Sequence, residues 1–319
     1  MTSTGGRKLR KLFPTRNPAL REVLDTVEKV LSHDVNVMIL GESGVGKNYL
    51  AEAIHICGNR QALPFVSVDC SSIPAEIFES ELFGYEKGAF TGAATRKPGR
   101  IETAQRGTLY LDEITAVGPE LQAKLLRVVQ ERQFSRLGGN GLLRLDARVL
   151  SSSNVRIDEA LEAGRFRRDL YYRLNVVAVT LPPLRQRRKD IPALAHEFLE
   201  TGAQRMNSEV RSIDEAALRL LTEYSWPGNL RQLRNTVERA VVLSRGDTIT
   251  ADVLGTDIAA GPEALLEIGG EKEWTLDQLE ERYIEQILQQ TRHQFSKAAA
   301  ILGINRKTLL EKRRKYGLK

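Results

Sequence analysis

Short apolar runs alternate with longer amphipathic stretches over roughly the first 180 residues. The apolar runs have the length of strands, and the stretches between them, such as Leu121–Gln130, have the apolar spacing of a helix. This alternation predicts an α/β fold with a parallel sheet covered by helices. Pro182-Pro183 ends the pattern because neither residue can extend a strand ladder. The predicted strands are Val35–Leu40, Phe65–Val68, Thr108–Leu111, Arg148–Ser152 and Val176–Leu181.

Beyond these prolines the apolar positions follow only a helical period. Residues 191–254, which include Ile213–Tyr224 and Leu230–Leu243, predict an α-helical lid subdomain. The glycine-rich residues 255–273 have the composition of a linker, after which the helical period returns. The predicted organisation is a basic N-terminal extension at residues 1–16, an α/β subdomain at 17–184, a helical lid at 185–254, a linker at 255–273 and a small all-α domain at 274–319.

The composition is that of a globular protein with enough apolar residues to bury a core. Of the 319 residues, 41% are hydrophobic. No apolar run reaches the roughly 20 residues of a membrane helix. Met1–Arg16 is basic and lacks the apolar region of a signal peptide, so we expect a cytoplasmic protein without membrane contact. The cysteines and histidines are scattered without ligand spacing, and we expect no metal-ligand cluster among them.

A glycine-rich loop follows the first predicted strand and precedes the helical stretch Tyr49–Ile56. A strand, a loop of this kind and a helix are the context of a phosphate-binding loop, whose N–H groups and lysine face phosphate oxygens. A glycine-rich turn without a ligand is the alternative. Asn48 stands where the generic motif offers magnesium a hydroxyl, so the metal must depend more on water and on an acid elsewhere. The predicted nucleotide contacts are Gly41, Glu42, Ser43, Gly44, Val45, Gly46, Lys47 and Asn48.

Two carboxylates end the strand at residues 108–111 and can supply that acid. We predict that Asp112 holds Mg²⁺, directly or through water, and that Glu113 orients and polarises the attacking water. Capping of the next helix is the alternative function for such a pair. Asn154 follows another predicted strand, which places an amide near the γ-phosphate. Together these residues predict hydrolysis of ATP with Mg²⁺.

With these pieces in order, the chain resembles the AAA+ ATPases of the bacterial enhancer-binding protein family, the sigma-54-dependent transcriptional activators, over residues 17–246 and 297–318. The most specific segment is Glu81–Ala93, whose core is similar to the loop with which this family grips sigma-54. Phe90 is the one large apolar side chain in that core, and a buried turn is the alternative reading of it. The resemblance implies sigma-54 contacts by Gly88, Ala89, Phe90, Thr91, Gly92 and Ala93.

Residues 164–174 resemble the family's segment that carries the arginine fingers. By position these are Arg167 and Arg173, which in a ring would reach the neighbouring subunit's γ-phosphate. Arg168 stands where the family often has an acid, so the choice among the three arginines stays open. An ordinary charged surface helix is the alternative.

Trp226–Leu233 resembles the family's second sensor motif, in which Arg231 would report the nucleotide state. Its alternative is a simple helix start, with Pro227 and Asn229 serving as turn and cap.

The chain departs from the family pattern at three positions. Asn48 replaces the acid that is common after the loop lysine, and Ser153 replaces the Thr that usually precedes Asn154. Asp69 occupies the position of the Asn that usually restrains the catalytic glutamate. A carboxylate cannot donate an amide hydrogen bond to Glu113, so we expect this switch to restrain basal hydrolysis less.

Positive charge is concentrated at the C-terminus. Residues 306–319 contain seven Lys or Arg residues and one Glu, which equals the net charge of +6 of the whole chain. A helical stretch at 296–302, Gly303 and a basic stretch from Arg306 to Tyr316 predict a helix-turn-helix, and they resemble the Fis-type domain of these activators. A coiled-coil or solubilising tail is the alternative. The predicted DNA contacts are Asn305, Arg306, Lys307, Thr308, Arg313 and Arg314.

The resemblance implies a sigma-54-dependent transcriptional activator that works as a hexameric ring with dimeric DNA-binding domains. Its implied partners are sigma-54 RNA polymerase holoenzyme and double-stranded enhancer DNA, and its cofactors are ATP and Mg²⁺. Because the sequence starts almost directly at the ATPase domain, we expect no receiver domain, with control from a partner protein, from expression level or from a region outside this sequence. A DNA-remodelling AAA+ protein, such as a helicase loader, and a nucleotide-gated DNA binder without hydrolysis are the rival functions.

Overall fold

A five-stranded parallel sheet lies at the centre of the computed structural model, which describes residues 4–154, 157–255, 274–291 and 294–318. The strands are β1 (Val37–Leu40), β2 (Phe65–Asp69), β3 (Gly84–Tyr85), β4 (Lys97–Pro98), β5 (Thr108–Asp112), β6 (Gln133–Phe134), β7 (Leu143–Arg144), β8 (Arg148–Ser153), β9 (Val177–Thr180), β10 (Ser212–Ile213) and β11 (Thr248–Ile249). The central sheet has the order β2–β5–β8–β1–β9, and every pair in it is parallel. The predicted α/β fold is confirmed, and each predicted strand overlaps one strand of this sheet.

Helices cover both faces of the sheet. They are α1 (Thr4–Leu12), α2 (Pro18–Val30), α3 (Lys47–Cys57), α4 (Ala75–Phe83), α5 (Arg100–Thr103), α6 (Pro119–Glu131), α7 (Ile157–Glu162), α8 (Arg168–Leu174), α9 (Ile191–Met206), α10 (Glu215–Glu223), α11 (Asn229–Leu243), α12 (Leu276–Gln290), α13 (Phe295–Ile301) and α14 (Arg306–Lys315). Side chains of a strand alternate between the faces, so Val37 and Ile39 pack with α1, α2 and α3 while Met38 packs with α4, α6 and α8. Two apolar cores result, one on each face.

The N-terminal segment is part of the folded unit. Leu9 of α1 is fully buried in the core that α2 and α3 share. The Lys8 Nζ atom donates to Ile56 O at 2.8 Å, and Arg10 pairs with Asp25 at 2.5 Å. The sequence predicts a basic extension here, and the structure shows a packed helix whose basic residues are exposed.

Two compact units make up the chain. The first contains the described part of Met1–Ser208 together with Ser225–Arg239, and the second contains Glu209–Tyr224 and the described part of Ala240–Lys319. Within the second, β10 and β11 pair in parallel, so the prediction of an exclusively helical segment at 191–254 is wrong. Two-residue strands are too short to show a period. The predicted linker lies outside the described residues from 256 to 273, and the domain boundaries stay predictions.

The C-terminal helices form the predicted helix-turn-helix. Ile284, Ile287 and Leu288 of α12 pack with Ala298 and Ala299 of α13 and with Leu309 of α14. Gly303 has a φ of 67°, which makes the turn between α13 and α14 possible. Among the described helices, none combines the length and apolar character needed to cross a membrane.

Candidate functional site

The phosphate-binding loop connects β1 to α3. Gly44 and Gly46 have φ angles of 75° and 107°, which a residue with a Cβ rarely adopts. Gly46 precedes α3 without a side-chain cap, which leaves the first N–H groups of the helix for a ligand. The Lys47 Nζ atom is nearly buried, donates to Gly41 O at 2.9 Å and lies 2.9 Å from Glu113 Oε1. The loop thus presents N–H groups and one buried cation.

Glu113 directly follows β5 and occupies an unusual backbone conformation. Its φ is 51°, in the left-handed region that costs a non-glycine residue on the order of 1–3 kcal/mol. The Glu113 N–H donates to Ser152 Oγ at 3.0 Å, so β8 holds this conformation in place. Its side chain is 26% exposed, compared with 5% for Lys47. Glu113 is therefore held rigidly at its backbone while its carboxylate remains accessible.

Asp112 lies in a buried network of hydroxyl groups. The Tyr110 hydroxyl is 2.9 Å from Asp112 Oδ1 and 3.1 Å from Asn48 Oδ1, and the Ser152 hydroxyl also donates to Asp112 Oδ1. Burial, and then the neighbouring carboxylate, raise the pKa of Tyr110, so this hydroxyl stays a donor. A shared tyrosine hydroxyl thus links Asn48 to Asp112.

The side chain of Asp69 turns to its own loop. Its Oδ1 accepts hydrogen bonds from the Ser71 N–H at 2.9 Å and from the Ser71 hydroxyl at 2.7 Å, and these hold the pKa of Asp69 below its ordinary value. Glu113 pairs with Lys47 instead. Glu113 and Asp69, which occupies the position of the family's restraining Asn, thus have different partners.

One cavity of about 620 Å³ brings most of the predicted nucleotide residues together. Its walls include Ser43–Asn48, Asp69, Asp112, Glu113 and Arg231. The sequence did not predict a second group at the cavity wall, among them Leu12, Phe13, Tyr49, Arg187 and Asp190. Phe13 and Tyr49 form an aromatic pair with ring centroids 4.9 Å apart. Phe13 lies far from the loop in sequence, so no sequence signal pointed to it. Tyr49 directly follows the loop and could have been noticed as an aromatic side chain.

The candidate finger arginines differ in their partners. Arg167 is bound by Asp169 through Nε at 3.1 Å and Nη2 at 2.7 Å. Arg173 lies near the end of α8 with an exposed side chain, and no partner for its guanidinium is found in the described parts of the chain. Tyr172 and Val176 beside it are 70% and 57% exposed. Asn154 and the candidate arginines do not line the described cavity.

The segment at residues 88–93 forms a closed loop between β3 and β4. The Gly88 N–H donates to Ala93 O at 2.9 Å, and the Ala93 N–H donates to Phe90 O at 3.0 Å. Phe90 is 46% exposed and its ring contacts Tyr85 edge-on at 4.9 Å, so it is not the buried turn of the alternative interpretation. Thr91 and Gly92 are exposed as well, whereas Ala93 is buried and closes the loop.

A second hairpin, formed by β6 and β7, supports this loop and was not predicted. The Glu86 N–H donates to Leu137 O at 3.0 Å, and Arg136 binds Glu86 at 2.6 Å. A Cβ at Gly138 would lie 2.7 Å from the Cβ of Ala89, so only glycine fits there. The run of glycines between residues 138 and 141 was the available signal.

In the C-terminal domain, Asn305 caps α14. Its Oδ1 accepts from the Thr308 N–H at 2.8 Å and from the Thr308 hydroxyl at 3.0 Å, as the sequence predicted for a cap. Arg313 donates to Leu318 O at 3.0 Å and lies over the Phe295 ring. Two of the six predicted DNA contacts therefore hold one another, and a third stabilises the domain. The exposed predicted contacts are Asn305, Arg306, Lys307 and Arg314, and the last three of these are basic.

Three protein-family models match the sequence in succession. Residues 13–180 match the sigma-54 interaction domain, residues 185–266 match the AAA+ ATPase lid domain, and residues 275–316 match the bacterial regulatory protein domain of the Fis family. The fold and the site thus define an AAA+ nucleotide-binding module joined to a DNA-binding domain.

Curated relatives are similar to this chain over most of its length. ZraR of Salmonella typhimurium is 45% identical over 296 residues, which cover 93% of this chain and 67% of that protein. AtoC of Escherichia coli is 41% identical over 310 residues, which cover 95% of this chain and 67% of AtoC. The Nif-specific regulatory protein of Azotobacter vinelandii is 45% identical over 292 residues, which cover 90% of this chain and 55% of that protein. The chain belongs to the sigma-54-dependent transcriptional regulators, which confirms the resemblance predicted from its motifs.

Solved structures agree with this assignment. NtrX from Brucella abortus in complex with ATP superimposes with a TM-score of 0.70 at 36% identity, covering 95% of this chain and 69% of NtrX. A complex of NtrX with ADP gives a TM-score of 0.72. As a class, AAA+ sigma-54 activator domains are ATPases, and the sigma-54 interaction and Fis-family domains imply sigma-54 and DNA as partners.

Proposed function

We propose that this chain hydrolyses ATP with Mg²⁺ and uses the energy to remodel the closed complex of sigma-54 RNA polymerase while bound to enhancer DNA. The observation that carries the proposal is the contact between Lys47 and Glu113, 2.9 Å apart beside the phosphate-binding loop. A buried ammonium group needs a negative partner, and phosphate oxygens can replace the carboxylate. Such an exchange would free Glu113 to act as a base.

The residues around the cavity divide the chemistry between them. Lys47 and the N–H groups of the loop bind phosphate, Glu113 orients the attacking water, and Arg231 approaches from the lid side. Magnesium, when bound, neutralises charge on the phosphates. The described residues contain no cluster of three or more His, Cys, Asp or Glu that could hold a metal, which fits a Mg²⁺ ion held by Asp112, water and substrate. The Asn48 amide oxygen is a further candidate ligand.

We propose that the chain acts as a ring in which Arg173 reaches the nucleotide site of the neighbouring subunit. Its exposed guanidinium can reach a neighbouring subunit without first breaking an ion pair, whereas Arg167 would have to leave Asp169. Tyr172 and Val176 expose apolar surface next to Arg173, which assembly would cover. A hexamer is the expected assembly.

We propose that Phe90 is the sigma-54 anchor. Its loop is closed by its own backbone hydrogen bonds and supported by the β6–β7 hairpin, so the ring is presented at a defined position. Gly88 and Gly92, with φ angles of 84° and 102°, adopt the positive-φ backbone that closes this loop.

Phosphate release from purified variants tests the chemistry. Glu113→Gln removes the base while leaving the phosphate-binding loop intact, so it should bind ATP and hydrolyse it about 10²–10⁴-fold more slowly than the parent protein. Lys47→Ala should weaken nucleotide binding itself. Glu120→Gln, an exposed glutamate at the start of α6, is the matched control and should keep the parent rate. Hydrolysis by Glu113→Gln at the parent rate would contradict the proposed mechanism.

A further inference from the structure

A short segment after β9 holds the phosphate-binding loop from one side. The Glu42 carboxylate accepts two hydrogen bonds from the Arg185 guanidinium, from Nη1 at 2.8 Å and from Nη2 at 2.7 Å. This bidentate pair holds the pKa of Glu42 below its ordinary value. Arg187, nearly buried, donates from Nη2 to Val45 O at 3.1 Å. The loop is thus fixed at residues that do not bind phosphate through their side chains.

Asn229, the first residue of α11, also attaches to the phosphate-binding loop, and Arg231 lies in the first turn of the same helix. Its side chain is fully buried, and its φ of 50° lies in the left-handed region that Asn tolerates. Its Oδ1 accepts from the Leu184 N–H at 2.8 Å, and its Nδ2 donates to Glu42 Oε2 at 3.2 Å and to Ser43 O at 3.1 Å. Rather than capping its own helix, this side chain donates to the phosphate-binding loop and accepts from the segment after β9.

The backbone at the start of α11 also contacts the backbone of the phosphate-binding loop directly. The Arg231 N–H donates to Gly44 O at 3.3 Å, and the Arg231 Nη1 atom lies 3.3 Å from Ser43 Oγ. A Cβ placed at Gly44 would lie 2.4 Å from Gly228 O, so no side chain fits between the loop and the turn. The position of Arg231 relative to the loop is therefore set by residues on both sides of this contact.

We infer that Asn229, with Glu42 as its partner, is a positioning residue that fixes the first turn of α11, which bears Arg231, against the phosphate-binding loop and thereby sets how strongly the protein distinguishes ATP from ADP. The inference rests on the proposed nucleotide function of this site. ATP and ADP differ at the γ-phosphate, so discrimination requires a group held at a fixed place relative to the loop that binds the other phosphates. Without the Asn229–Glu42 clamp, Arg231 loses that fixed place.

The substitution Asn229→Asp tests the clamp with minimal change in shape. It keeps the size of the side chain and its tolerance for a positive φ, but it removes both Nδ2 donors and places a carboxylate opposite Glu42. The ratio of the dissociation constants of ADP and a non-hydrolysable ATP analogue should fall about tenfold, because one charge-assisted hydrogen bond is lost. In the nucleotide-free protein, the Arg231 amide, which donates to Gly44 O, should exchange its hydrogen faster.

A second substitution separates the clamp from a merely structural effect. Glu42→Gln, added to Asn229→Asp, restores one N–H donor between these side chains and keeps one acceptor for Arg185, so it should recover part of the discrimination. Asn207→Asp is the matched control, since Asn207 also has a positive φ, 54°, at the end of α9. It should change neither the ratio nor the exchange of Arg231.

Each outcome decides one part of the inference. An unchanged ADP-to-analogue ratio in Asn229→Asp, with faster Arg231 exchange, overturns the link to discrimination, and unchanged exchange overturns the clamp. If Asn229→Asp does not fold, Arg185→Ala at the partly exposed end of the network should lower the ratio several-fold, and no change there overturns the inference. A parent protein that binds neither nucleotide contradicts the proposed function instead, while hydrogen exchange still tests the clamp.

Discussion

Truncation of Phe90 should remove a partner contact at a small cost in stability. The residue is 46% exposed, so about half of the roughly 1.5–3 kcal/mol gained by burying a Phe side chain is at stake. The edge-on contact with Tyr85 adds about 0.5–1.5 kcal/mol. We therefore expect Phe90→Ala to lower the free energy of unfolding by about 2 kcal/mol, below the roughly 3–5 kcal/mol typical of a buried Phe.

The assay compares stability and function in the same variant. Phe90→Ala should hydrolyse ATP and bind DNA like the parent protein but fail to capture sigma-54 when trapped with a transition-state analogue of ATP. Phe134→Ala, in the neighbouring hairpin and only 4% exposed, is the core control and should lose folding and hydrolysis together. If Phe90→Ala behaved like Phe134→Ala, or captured sigma-54 normally, the anchor hypothesis would be refuted.

Three further predictions concern the assembly, the DNA-binding helix and a buried histidine. Mixing Arg173→Ala with Glu113→Gln should restore part of the hydrolysis, since mixed interfaces combine an intact finger with an intact base; no recovery would argue against action in trans. Arg306→Ala should reduce the salt dependence of DNA binding by about 0.9 in the log–log slope if it contacts one phosphate, whereas Arg313→Ala should lower the melting temperature of the domain. Burial lowers the pKa of His55 below its ordinary value of 6.5, so the unfolded chain takes up a proton that the folded protein excludes, and stability falls as the pH drops below about 6.5. His55→Gln should flatten that loss in urea titrations, and an unchanged slope would contradict it.

Local sequence signals predicted the elements of the fold well. Val37, Met38 and Ile39 are all apolar because successive side chains of this strand pack into the cores on opposite faces of the sheet, and a continuous apolar run is the signal that results. Asn305 caps its helix because a cap involves residues three apart, which the sequence displays directly. By contrast, β10 and β11 are two residues long and pair with each other, so no sequence period predicts them.

The site was predicted where its residues follow one another in the chain. The phosphate-binding loop and the Asp112-Glu113 pair lie around one cavity, as the strand order of a parallel sheet requires. The contact of Asn229 with Glu42 joins residues 187 positions apart, and a capping function was the only local explanation for that asparagine. α1 was interpreted as an extension because its charges outnumber its apolar residues, although Leu9 is fully buried in the core and Leu12 packs against it.

The central claim is that hydrolysis at this site opens a sigma-54 promoter. The most direct measurement is the permanganate reactivity of the melted strand at such a promoter, with purified sigma-54 RNA polymerase and this protein bound at its enhancer DNA. Reactive thymines are expected with the parent protein and ATP, and none with Glu113→Gln or with ADP. Promoter opening by Glu113→Gln at the parent level, or by the parent protein without ATP, would contradict the coupling of hydrolysis to remodelling.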